Sequence, residues 1–235
     1  LLNPEDSKWT IHPHFEIGFL APMTHRIQLG QNGSDFDFIE EGGQDNLFRV
    51  QRFEMGFQRQ GKHHLNFIFQ PCDLSTTTVA RKELTFDNAV FAEGTPMAYR
   101  YGFDYYRGTY LYDTKEGTDE TLAFGVAMQI RNATLDFRSQ NGEIQDSNRD
   151  IGPVPLLTFQ SKQNMADNLW WGIDAAGSYA PIKYINGSDS DVVGAILDAS
   201  IRGGLHLNHG ADAFVNLRYI GGGAEGTDST PDPGK

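Results

Sequence analysis

Ionisable side chains recur on one parity of many alternating segments, and that recurrence decides what chemistry the chain can hold. Arg52, Glu54, Arg100, Asp104, Arg131, Asp174, Asp198, Arg202 and Arg218 all fall on the parity opposite to their apolar neighbours, as does Glu16. Successive side chains of a strand point to opposite faces, so these charges gather on one side of a sheet. Opposite charges gathered there can form an interior ion-pair ladder, a polar conduit or a small-molecule pocket. The ladder is the simplest, because charges held away from water must pair or be hydrated. Arg100, Asp104, Arg131 and Asp174 have the parity to meet across strands in such a network.

The histidines suggest no catalytic centre. His12 and His14 share a strand face, His63 and His64 oppose each other, and His206 and His209 flank a turn. The sequence contains no HExxH and no His/Cys cluster. Cys72 is the only cysteine, which leaves neither a disulfide framework nor a cysteine-based zinc site. A hydrolase that trims lipid A would want a His and a Ser on one face, and no His-x-Ser pair occurs. GxSxG, P-loop and GxGxxG-helix patterns are also missing. The expectation is therefore no catalytic residues, no metal site and no cofactor. The net charge of -12 would repel a phosphate backbone, so nucleic acid is not an expected partner.

The elements that position these residues are strands. Residues 97–112, MAYRYGFDYYRGTYLY, place Met97, Tyr99, Tyr101, Phe103 and Tyr105 on one parity and Ala98, Arg100, Gly102 and Asp104 on the other. Residues 122–131 alternate as cleanly, with Leu122, Phe124, Val126, Met128 and Ile130 against Ala123, Gly125, Ala127, Gln129 and Arg131. The period is two, so neither segment is a helix stripe. Similar splits recur in Thr10–Leu20, Leu47–Gln60, His63–Gln70, Val154–Ser161, Leu169–Ala176, Val193–Arg202 and Ala213–Tyr219. Residues 71–82 read as a polar linker, and Leu84–Phe91 as a weaker strand. The apolar parity is expected to face lipid, led by Tyr99, Tyr101, Phe103, Phe124, Val126 and Met128. Arg107 shares the parity of Tyr105, which implies a bulge or a place at the headgroups.

Most of these strands are long enough for a tilted crossing of a bilayer, which takes about 9–11 residues. No apolar run is long enough for a membrane-spanning helix. Short turns such as RQGK alternate with long acidic loops, the habit of outer-membrane barrels. The fold class expected is all-β: an antiparallel up-and-down transmembrane β-barrel of about 10–12 strands. One domain would cover residues 1–235, with 1–9 as a lead-in and 222–235 as a polar tail. That tail has no strand character. Either the first strand pairs directly with Ala213–Tyr219, or another segment completes the barrel, and the tail favours the second.

The segments Tyr99–Tyr112, Ile151–Leu157 (IGPVPLL) and Arg218–Gly226 (RYIGGGAEG) resemble a family of small, uncharacterised bacterial outer-membrane β-barrel proteins. The resemblance implies a place and a fold, and no reaction. The expected function is a structural, solute-passing or small-molecule-binding barrel in the bacterial outer membrane. Its expected partners are membrane lipids, lipopolysaccharide and another outer-membrane subunit. One alternative is a soluble lipocalin-like binding barrel with its faces inverted. The other is a membrane-embedded lipid A or phospholipid hydrolase.

Overall fold

The computed structural model describes residues 9–28, 33–115, 120–181, 193–207 and 210–225; the side chains of 131, 150, 151, 180, 181 and 225 lie outside the description. The early strands are β1 (Trp9–Leu20), β2 (Arg26–Gln28), β3 (Asp35–Asp37), β4 (Phe48–Arg59), β5 (His63–Gln70) and β6 (Asp73–Val79). Next come β7 (Leu84–Phe86), β8 (Ala89–Phe91), β9 (Pro96–Asp113) and β10 (Thr121–Ser139). The last are β11 (Gln145–Ala166), β12 (Leu169–Pro181), β13 (Val193–His206) and β14 (Asp212–Glu225).

One ten-stranded sheet runs β1-β4-β5-β9-β10-β11-β12-β13-β14, with β6 also on β9. Every pairing is antiparallel. The sheet curls strongly, through 276°, and is not closed by hydrogen bonds. β5 pairs with Gln70-facing Tyr105 through Tyr112 of β9, and β6 continues above it against Pro96–Gly102. The two therefore act as one interrupted column. The linker expected at 71–82 is largely this strand, because Thr76–Val79 is a β-branched run that suits an extended backbone.

β9, β10 and β11 reach beyond their neighbours at the rim where β1 ends, called upper here. β10 is continuous from Thr121 to Ser139, and β11 pairs with it from Gln145 onward. The polar residues after Phe137 leave the ladder only in a turn at 140–144, where Gly142 has φ 77. Pro153 and Pro155 lie in the part of β11 that has no ladder with β12, where one edge needs no donor.

Above the concave side sit two small hairpins, β2–β3 and β7–β8. The weak strand expected over Leu84–Phe91 is the second of these, reversed at Asp87 with φ 44. The hairpins supply Phe36, Leu84, Phe86 and Phe91 to a core completed by Phe38, Met97, Tyr99 and Phe137. Phe86 stacks on Phe137 at 3.9 Å, and Phe36 meets Tyr99 at 4.9 Å. Each buried ring removes ~150–250 Å² from water, so this cluster is the main apolar core of the upper part. His25 lies flat against Phe38 at 4.2 Å and donates from Nδ1 to Gln44 Oε1 at 2.7 Å.

Candidate functional site

The lower part of the sheet has the reverse arrangement, with charges inside. β1, β4, β5, β12, β13 and β14 turn their even-numbered residues to the concave side, and β9, β10 turn their odd-numbered ones. Asp198 on β13 is the hub. It accepts from Arg218 Nε at 2.6 Å and Nη2 at 2.8 Å, from Arg107 Nη1 at 3.0 Å and from the Tyr105 hydroxyl at 3.0 Å. Tyr105 and Arg107 belong to β9, so these bonds cross the interior rather than run along the wall. Arg218 also donates to Gln70 Oε1 at 2.6 Å. A second group joins Arg52 to Glu54 at 3.1 Å, with Glu16 3.9 Å away. A third joins Arg202 to Asp174 at 3.3 Å, with Gln160 donating to Asp174 at 2.9 Å.

Arg52, Asp198 and Arg202 are only 5%, 6% and 8% exposed. Charges this buried persist only because each has a partner within reach; losing one would strand the other. The groups pack tightly. The cavity between Arg52, Glu54, Arg107, Asp174 and Asp198 holds about 30 Å³, room for a water or two and not for a solute stream. Lower down, the Trp170 ring lies over Gly204, where a Cβ would fall 2.6 Å from the indole. Glycine is needed at that position for the tryptophan to turn inward.

The exterior of the same part is apolar. Phe124, Val126 and Met128 point outward and are about half exposed, as are Phe67, Leu197 and Ile201. A row of paired residues runs around it: Phe15, Phe53, Phe69, Tyr106, Ile130, Pro153. Phe15–Phe53 and Phe69–Tyr106 are in ring contact at 5.1 and 4.9 Å. Below this row an apolar hollow opens at Gly108, between Phe67 and Met128. Above it the outer face of β9 and β10 becomes polar: Asp104 beside Asn132, Gly102 beside Thr134, Arg100 beside Asp136.

Six of the charges expected inside stand on the concave side: Arg52, Glu54, Asp174, Asp198, Arg202 and Arg218. Two do not. Arg100 points outward and makes an exposed pair with Asp73 at 2.7 Å, and Asp104 shares its face. Arg131 pairs with Tyr105 through the backbone, and its side chain is outside the description. The aromatic residues of β9 are corrected likewise. Tyr99 is 3% exposed within the upper core, Tyr101 packs at its edge, and Phe103 stacks parallel to Tyr101 at 6.1 Å. All three face inward, because above Tyr105 an apolar cap covers the inside of β9 and the outer face is polar. Arg107 needs neither a bulge nor a headgroup: the pairing with β10 is unbroken, and its parity is simply the inner one. Sequence reasoning missed Tyr105, Arg107, Gln70 and Gln160 as members of the network. The available signal was Arg107 itself, a charge that did not fit an outward parity for its strand.

Among the described residues no serine or cysteine is hydrogen-bonded to a histidine, and no His/Cys/Asp/Glu group is arranged to hold a metal ion. His206 is tied to Asp212 at 2.7 Å on the lower rim, and Lys162 also reaches Asp212 at 2.9 Å. Among the described residues no helix is long and apolar enough to cross a membrane, which says nothing of strands. No protein-family model, curated protein or solved structure matches the chain. The chain is a mostly-β protein built on a strongly curled antiparallel sheet.

Proposed function

We propose that the chain is a bacterial outer-membrane β-barrel whose interior is a structural ion-pair core and whose upper part is an aromatic-cored cap standing outside the bilayer. The observation that carries this reading is the change of the outer face of β9 and β10 at one register row. On β10 the outward residues from Leu122 to Ile130 are apolar, and from Asn132 to Arg138 they are polar. That apolar stretch is roughly 27 Å long at ~3.4 Å per residue. With strands tilted, it approaches the ~25 Å apolar band of outer-membrane barrels, and such bands end in aromatic girdles. The row Phe15–Phe53–Phe69–Tyr106 supplies a girdle there. A soluble binding barrel would place these rings inside and the arginines outside, against the burial seen.

A structural role is favoured over solute passage by the 30 Å³ interior cavity. Lipid is the partner this exterior suits, and the hollow at Gly108 adds an apolar lining from Phe67 and Met128. Folding into phosphatidylcholine vesicles tests the reading. The expected result is protein retained in the vesicles after alkaline washing. Trp171, which faces out, should be quenched by brominated acyl chains, and Trp170, which faces in, should not. A monodisperse, detergent-free protein in water would overturn it.

A further inference from the structure

The lower edge of the apolar exterior carries a cation with no carboxylate to answer it. Arg59 closes β4, Trp9 opens β1, and the two are register partners on the outward face. The Arg59 guanidinium lies 5.8 Å from the centre of the Trp9 ring. Among the described residues no hydrogen bond or ion pair holds it, and its Nε is buried without a partner. Asp113, a carboxylate of the same rim, is 2% exposed on the inner side and accepts from the amides of Lys115 and Leu122. Across the hairpin Arg59 pairs with His63, and His63 pairs with Tyr112. The His63 ring meets Tyr112 edge to face at 5.6 Å, and its Nδ1 is hydrogen-bonded to the Tyr110 hydroxyl at 2.8 Å. The turn between Arg59 and His63 is tight: Gln60 and Gly61 have φ 57 and 65, and the Lys62 amide donates to the Arg59 carbonyl at 3.1 Å. Trp and Tyr gather at membrane–water interfaces, and Tyr112 pairs with Phe124 beside the lower end of the apolar stretch.

Up the same columns the exterior recedes. Met55, Phe67 and Gly108 form the row four residues above Arg59, His63 and Tyr112, roughly 14 Å along the strands at ~3.4 Å per residue. The hollow there has a volume of about 970 Å³ and is lined by Met55, Phe67, Phe69, Tyr106 and Met128 around Gly108. That is the upper end of the ~300–1,000 Å³ usual for small-molecule sites. Crowding does not call for glycine at 108, because a Cβ would meet only the Phe67 ring, at 3.6 Å. What the glycine leaves at that position is space.

We infer that this face holds an anionic phospholipid of the leaflet at the lower rim, with its phosphodiester between Arg59 and His63 and an acyl chain running up into the hollow at Gly108. A guanidinium offers a phosphate two parallel N–H donors and keeps its charge. With the Tyr110 hydroxyl donating to Nδ1, His63 carries its proton on Nε2 and adds a third donor from the next strand. Trp9 and Tyr112 flank the headgroup. Charge complementarity selects the lipid class. A choline headgroup brings a cation to a site whose own cation is unanswered, and a glycerol headgroup brings none. The site rests on the membrane reading above and adds to it the lipid and its seat.

Spin-labelled lipids in phosphatidylcholine vesicles that hold the folded protein test this. Phosphatidylglycerol labelled on its acyl chain should associate about fivefold more tightly than labelled phosphatidylcholine, the effect of one arginine beside an anionic headgroup. Arg59→Gln should make the two lipids equal. Arg100→Gln, in an exposed pair on the polar upper face, should leave the preference as it was. Gly108→Leu, which fills the hollow, should weaken phosphatidylglycerol with Arg59 intact; unchanged binding would unseat the acyl chain. Should Arg59→Gln fail to fold, the unaltered protein decides, because strong salt must erase its preference. Inorganic phosphate should not displace the labelled lipid, and displacement would mark a site for free phosphate and overturn the proposal. An inserted protein with no preference, or one whose preference survives Arg59→Gln, overturns it too and leaves the membrane reading standing. A protein that never enters the vesicles overturns both.

Discussion

The lower and upper parts of β10 use one strand in opposite ways. From Leu122 to Ile130 its outward side chains are Phe124, Val126 and Met128, and its inward ones are Ala123, Ala127 and Gln129. From Asn132 to Ser139 the outward side chains are Thr134, Asp136 and Arg138, and the inward ones are Ala133, Leu135 and Phe137. β9 changes over at the same height, between Tyr105 and Tyr106. No bulge marks the change, since the ladder between the two strands is continuous. Alternation shows that a strand has two unlike faces. What lies beyond each face, the aromatic cap or the ion-paired interior, decides which one is apolar.

Removing the hub of the lower interior should have the largest effect. Asp198→Ala strands Arg107 and Arg218 in a buried site, and breaking such a pair costs about 3–5 kcal/mol. Urea unfolding in vesicles measures it. Arg100→Ala, which breaks the exposed pair with Asp73, should cost about 0–1 kcal/mol on the same scale. Equal losses would mean that the two parts do not differ in burial as described.

The upper part should respond to apolar truncation instead. Phe137 is 1% exposed and stacked on Phe86, so Phe137→Ala should cost about 3–5 kcal/mol or detach the cap. Protease nicking at residues 80–95, with the lower sheet intact, would report local loss. If Phe124→Ala, on the same strand but outward, costs as much, the contrast fails.

A cation on the outer face of β10 tests where the change falls. Val126→Lys should cost about 2–4 kcal/mol in lipid, and Asn132→Lys, beside Asp104, about 0–1 kcal/mol. Equal costs would remove the boundary between them.

The smallest effect concerns pH. Burial lowers the His25 imidazole below its usual 6.5, against smaller opposing effects from its bond to Gln44 and from Asp37. The folded cap therefore binds this proton less readily than the unfolded chain does. Its stability is full above 6.5 and declines as the pH falls through that value. Near-ultraviolet circular dichroism of the aromatic cluster, followed from neutral to about pH 5, should show the cap loosening. His25→Phe should remove the dependence.

Much of this architecture was legible in the residues. Period-two alternation in β1, β4, β5, β10, β12, β13 and β14 specified antiparallel strands, and each places its apolar parity outward in the lower part. The same alternation assigned Arg52, Glu54, Asp174, Asp198, Arg202 and Arg218 to one common face. Local stereochemistry determines this much, because a strand's side chains must alternate whatever surrounds them. The side assignment of Tyr99, Tyr101, Phe103, Arg100 and Asp104 could not be read the same way. It depends on Phe36, Phe38, Phe86 and Phe91, which come from outside the strand itself and cover the inside of β9 only above Tyr105. The meeting of Tyr105 and Arg107 with Asp198, more than ninety positions apart, likewise exists only because the sheet curls. Hydrophobic burial and charge pairing are settled by what the completed fold brings against each face, and alternation along the chain carries no record of that.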